Sequence, residues 1–179
     1  MFIGQEYGVF GQWFIIHFTE NEGMAFGFSF GGAWGKLVLS LFRIVAVSAI
    51  AYYLFTITRL KTRTGVITGL SLILAGAIGN IIDSAVYGLL FSESTYYQVA
   101  RFLPDAGGYA SFLHGKVVDM LYFPVIQTTL PHWLPFWGGE PFQFFRPVFN
   151  LADASITTGV IYLLLFERSF FKKTEHNSQ

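Results

Sequence analysis

Three stretches of this 179-residue chain are apolar for about as long as a bilayer is thick, and that constrains its fold more than any other feature. Leu37 to Ile57, Val66 to Leu90 and Val148 to Phe166 each approach the roughly 20 residues a membrane helix needs. Only 12% of the residues are charged, about half the share usual in soluble domains. With no water to satisfy backbone groups, a lipid-embedded segment closes its hydrogen bonds within a helix or a closed barrel. Runs of this length and composition predict helices. The fold expected is therefore a mainly α membrane protein, a bundle with three spans in one domain covering 1–179.

Basic residues orient the spans. Arg59, Lys61 and Arg63 lie between the first two stretches, and Arg168, Lys172 and Lys173 follow the third. The positive-inside rule puts both groups in the cytoplasm, with 167–179 as a cytoplasmic tail. Residues 1–36 and 91–147 are then extracytoplasmic. That topology leaves the N-terminus outside with no preceding span to carry it there, so a further helix upstream is expected. Within 1–36, the β-rich run Trp13 to Phe18 is expected to return through a turn at Asn21-Glu22-Gly23 into Met24 to Phe28, giving a small β-element. The segment 91–147 carries Trp133, Trp137, many Phe and Tyr, and Gly and Pro throughout. It is expected to be irregular and to lie at the membrane interface, where amphipathic rings settle.

Polar residues in the spans crowd toward one side. At 1.5 Å per residue, Asn80 lies about 21 Å and Asp83 about 26 Å from the cytoplasmic entry at Val66. Asp153 lies about 7 Å below Val148 on the outer side, and Arg43 is similarly shallow. Asn80 with Asp83 and Ser84, and Asn150 with Asp153, are spaced to share helix faces. Acidic residues within spans are rare and by default mark function. Asp119 lies in the outer segment between Val117-Val118 and Met120-Leu121-Tyr122-Phe123, flanks apolar enough to dock it against that layer. Each residue also has a structural reading. Asp153 serves as a helix-start carboxylate, Arg43 snorkels or pairs with Asp83, and Asn80 and Asn150 are interhelical hydrogen-bond donors.

Other chemistries find little support. Zero net charge gives nucleic acid nothing to bind, and the chain has no cysteine for thiol chemistry or disulfides. His17, His114, His132 and His176 form no zinc-binding pattern, and no phosphate loop or Gly-x-Ser-x-Gly elbow occurs. Neither a metal nor a cofactor is expected. A non-enzymatic binding or transport subunit, with Asp83, Asp153 and Arg43 as its polar site, is the alternative reading. Against it, transport sites tend to lie near the midplane.

Four blocks carry a family likeness: Asn21-Glu22-Gly23-Met24-Ala25-Phe26, Gly79-Asn80-Ile81-Ile82-Asp83, Gly115-Lys116-Val117-Val118-Asp119 and Phe149-Asn150-Leu151-Ala152-Asp153-Ala154-Ser155-Ile156. In their order they closely resemble the bacterial lipoprotein signal peptidases, signal peptidase II. The resemblance implies a four-span aspartic endopeptidase of the bacterial inner membrane, active site outward. It would remove the signal peptide from diacylglyceryl-modified prolipoproteins. It also implies a catalytic pair, Asp119 and Asp153, with Asn21, Gly23, Asn80, Asp83, Asn150 and Ala152 in supporting or substrate-contacting positions. Contact with membrane lipids, a monomeric state and sensitivity to globomycin-type inhibitors follow from the same likeness. The chain departs from the pattern at Ser84, where the family usually carries Arg, at Met24, and in a longer segment between Asp83 and Asp119.

Overall fold

The computed structural model describes residues 1–22, 32–144 and 147–170. Among the described residues nine elements follow in order. They are β1 (Glu6–Phe10), β2 (Phe14–Asn21), α1 (Gly32–Arg59), α2 (Thr64–Leu90), β3 (Val117–Tyr122), β4 (Ile126–Thr129), β5 (Pro141–Phe144), β6 (Val148–Phe149) and α3 (Leu151–Phe166). The chain divides into two compact units. One contains residues 1–20, 93–100 and 118–150, the other residues 21–92, 101–117 and 151–179.

In the helical unit, α1 and α2 are each long and apolar enough to cross a bilayer. Trp34, Val38, Phe42, Val45, Tyr52 and Phe55 of α1 are all exposed, which suits lipid and not water. The turn after α1 is a Schellman motif: Lys61 adopts φ +50° while its N–H donates to Thr58 and that of Thr62 donates to Ile57. Helix α3 is shorter than expected, 16 residues or about 24 Å. Its apolar run begins at Val148, but Val148 and Phe149 instead pair with Tyr122 and Leu121. A β-branched and an aromatic residue are satisfied by a strand there, so the helix starts only after Asn150.

Glycines let α2 and α3 approach to backbone contact. A Cβ on Gly76 would lie 2.3 Å from the carbonyl oxygen of Ala152, and one on Gly159 would lie 2.6 Å from that of Gly69. Close approach through small residues is how membrane helices associate when lipid supplies no hydrophobic drive. At the other end, Arg63 Nη1 stands 3.4 Å from the Glu167 carboxylate and donates to Ser169 at 2.9 Å. Residues 101–117 fold back over the end of α2. Leu103, Ala110 and Gly115 donate their N–H groups to the carbonyls of Leu90, Gly88 and Ser84. The long segment after Asp83 thus caps the Gly88 and Leu90 carbonyls, which the helix end leaves without partners, and adds a further bond to Ser84.

In the other unit a four-stranded sheet runs β1-β2-β3-β6, with β4 and β5 forming a separate two-stranded sheet. The expected strand at Trp13 to Phe18 is present as β2, but its hairpin partner lies upstream. Glu6 faces His17 and Tyr7 faces Ile16, and the chain turns near Gly11 at φ +56°. The expected return strand from Met24 lies outside the described residues, as does Gly23. The segment expected to be irregular also holds β3, β4 and β5, with β6 just beyond it, and their Val, Ile, Phe and Thr content suits a pleated surface. Phe14 stacks on Phe123 at 4.7 Å between centroids, and Phe123 on Phe149 at 5.9 Å, giving this unit its aromatic core.

Two glycines of α2 should respond differently to alanine. At Gly76 the new methyl meets a backbone oxygen, whereas at Gly79 it meets the Ala152 methyl at 3.3 Å. Gly76→Ala should cost about 1–3 kcal/mol, the range for overpacking, and Gly79→Ala less than that. Unfolding midpoints of the two variants in one detergent check this. Equal midpoints would contradict the described helix approach.

Candidate active site

Asp119 sits on β3 and is only 3% exposed. The alternation of the strand turns Val117 and Asp119 inward together. A carboxylate so buried is costly unless donors meet it. Asn150 supplies one, its Nδ2 donating to Asp119 Oδ1 at 2.8 Å. The pairing is set by register. Leu121 faces Phe149 and Tyr122 faces Val148, so the chain leaving β6 brings Asn150 alongside the inner end of β3.

Asp153 lies in the helical unit, in the first turn of α3, where the helix dipole favours a negative charge. Asn80 of α2 donates Nδ2 to Asp153 Oδ1, also at 2.8 Å. The glycine contacts bring this about. With Ala152 seated against Gly76 and Gly79, the next residue of α3 faces Asn80 one position further along α2. Ser155 Oγ secures the same turn by donating to the Leu72 carbonyl at 2.8 Å.

The remaining expected residues separate in role. Asp83 accepts a hydrogen bond from Tyr87, one helical turn along, and Arg43 has Asp153 as its electrostatic neighbour. Helix α1 brings Arg43 to a crevice also lined by Ser40, Ile81, Ser84 and Leu113. The shared helix face of Asn150 and Asp153 is corrected: Asn150 precedes α3 and belongs with Asp119. Ala152 is a packing residue beneath Asp153, and Asn21 closes β2. Tyr87 went unread although it stands four residues after Asp83, a spacing that puts both on one face. Lys36, buried and 2.7 Å from Glu22, had no comparable signal in the sequence.

Two aspartates, each held by an asparagine from a different block, fit the description Signal peptidase (SPase) II, whose family model matches residues 1–169. The chain belongs to that family. A lipoprotein signal peptidase of Porphyromonas gingivalis is 53% identical over 166 residues, covering 92% of this chain and 71% of that protein. One from Amoebophilus asiaticus is 38% identical over 160 residues, covering 89% of this chain and 63% of that protein. A solved bacterial membrane enzyme shares the fold with TM-score 0.57 at 22% identity, over 98% of this chain and 76% of its own. As a signal peptidase II the chain is a membrane-embedded bacterial protease, and the non-enzymatic alternative is displaced.

Removing either amide leaves a carboxylate, buried at Asp119 and half-buried at Asp153, short of a donor. Asn80→Leu and Asn150→Leu should each cost about 1.5–3 kcal/mol, the range for hydrogen bonds to charged groups. Thermal unfolding in detergent measures it, and loss well under that range at both positions would count against the pairing.

Proposed function

We propose that the chain removes the signal peptide from diacylglyceryl-modified prolipoproteins, with Asp119 and Asp153 as an aspartic catalytic pair. One observation carries the assignment. Asp119 and Asp153 are each bound by an asparagine amide at 2.8 Å, and all four residues come from the blocks that define the family likeness. An amide donates to a carboxylate without taking its proton, so it orients the group and leaves its acid–base chemistry intact.

In the working enzyme two neighbouring carboxyls share one proton, because two close negative charges cannot both form cheaply. The ionised member takes a proton from water as the water attacks the scissile carbonyl. The protonated member polarises that carbonyl and then protonates the leaving amine. No acyl-enzyme forms. Asn80 and Asn150 orient the pair, Ala152 seats Asp153, and Asn21, Gly23 and Asp83 contact or support the substrate. The basic turn Arg59 to Arg63 and Arg168 favour the cytoplasm, which directs the start of α3 and the catalytic pair outward from a multi-pass inner-membrane protein. There the substrate's lipid stays in the bilayer while its cleavage site meets water. A monomer, contacted by lipid and inhibited by globomycin-type compounds, completes the reading.

Asp119→Asn and Asp153→Asn should each lower prolipoprotein cleavage by about 100-fold or more, the low end for general acid–base catalysis, with membrane insertion retained. Processing of a diacylglyceryl-modified substrate on a gel reads the rate. A variant keeping more than about a tenth of the activity would remove that aspartate from the pair. EDTA should leave cleavage unchanged, and inhibition reversed only by added zinc would overturn the two-carboxyl mechanism.

A further inference from the structure

The connection between β4 and β5 combines features that a loop in water has no use for. From Met120 to Gly139 the sequence contains no Asp, Glu, Lys or Arg. At the tip Phe136 is 93% exposed and Trp133 79%, with Trp137 beside them, its ring 6.3 Å from that of Phe136. Phe136 holds φ +74°, a conformation unfavourable for an aromatic residue.

Part of the tip's backbone is closed on itself. Leu130 donates to Glu140, Leu134 to Pro131, Gly138 to Leu134, Gly139 to Leu130 and Glu140 to Trp137. Pro131 and Pro135 carry no N–H. The His132 ring lies against Gly139, where a Cβ would come within 2.9 Å of it. Exposed rings on an uncharged, partly paired backbone suit the headgroup layer, where amphipathic rings settle, and not the hydrocarbon core, where unpaired polar groups are expensive.

We propose that the β4–β5 tip, Pro131 to Gly139, is a wedge that seats Trp133, Phe136 and Trp137 in the headgroup layer of the bilayer. A lipid surface is the occupant because this chain is membrane-embedded and the strand after the hairpin leads directly into the apolar α3. Trp and Tyr are the residues that gather at that layer. A second copy of the chain is a poorer fit, because a nine-residue tip falls well short of the roughly 20–30 residues a side that a stable interface uses. Gln143 of β5 donates to the Tyr122 hydroxyl at the end of β3, so the anchored hairpin restrains the strand that carries Asp119. The wedge does not depend on the catalytic assignment.

Tryptophan fluorescence tests it. The chain has four tryptophans, so Trp13→Phe, Trp34→Phe and Trp137→Phe together leave Trp133 as the single reporter. The full chain is placed in phosphatidylcholine vesicles carrying bromine on the acyl chains, either near the headgroup or near the chain end. Headgroup-proximal bromine should quench Trp133 more than chain-end bromine, and Phe136→Asp should weaken that quenching and shift emission to the red. A companion protein retaining only Trp34, on α1, reports whether the vesicles hold inserted protein. With Trp34 quenched, an unquenched Trp133 open to aqueous iodide would overturn the wedge. So would a Trp133 signal that moves only when prolipoprotein is added, which would make the tip a substrate contact.

Discussion

The helical half of the site depends on how near α3 comes to α2. Lipid gives two apolar helices no hydrophobic reason to prefer each other, so their contact rests on packing and on polar groups that meet across it. Glycine at 69, 76 and 159 removes the side chains that would hold the backbones apart. Only at that separation does a side chain as short as Asn80 reach Asp153. The Asn80–Asp153 bond then contributes to the packing that makes it possible. The Arg63–Glu167 contact ties the opposite end of the same helix pair, so α3 is fixed near both termini despite its length of four to five turns.

Asp119 solves a similar electrostatic problem with a different element. A strand turns alternate residues inward, so one carboxylate can be buried without a helix face being devoted to it. The sheet then requires a partner of fixed register, and β6 provides it in two residues. Those two residues explain why α3 is short. Val148 and Phe149 satisfy β3, Asn150 turns to Asp119, and the helix begins one residue later. A longer α3 would gain hydrophobic length but would take Asn150 away from its carboxylate.

Much of this was legible in the sequence, and the misreadings have physical causes. The helices showed clearly because runs of some twenty apolar residues have few alternatives in lipid. Asp119, Asp153, Asn80 and Asn150 stood out as polar residues in surroundings that make them costly. Which asparagine served which aspartate was not legible. Spacing suggested that Asn150 and Asp153 share a helix face, whereas strand pairing, a non-local choice, placed Asn150 with Asp119. At the N-terminus β2 pairs upstream with β1 through the turn at Gly11, a hairpin that the turn chemistry of Asn21-Glu22-Gly23 did not signal. In the segment 91–147 the aromatic, Gly and Pro content predicts irregular structure, yet the aromatic and β-branched residues form three short strands there, β3 to β5. Glycine and proline lie outside the strands, except Pro141, which opens β5.

The departure at Ser84 also has a local explanation. Ser84 is buried, its carbonyl accepts the Gly115 N–H at 2.8 Å, and a Cβ on Gly115 would already crowd that oxygen. Its side chain lines the same crevice as Ser40, Leu113 and Arg43. An arginine at 84 would bring a second guanidinium into that space, and like charges repel strongly where water is scarce. Arg43 already supplies a cation there, from α1 instead of α2, with Asp153 as its electrostatic neighbour. A small residue at 84 and a base at 43 are thus one arrangement. The serine leaves room both for the guanidinium and for the segment that folds back over α2, and a change at either position has to be judged together with the other.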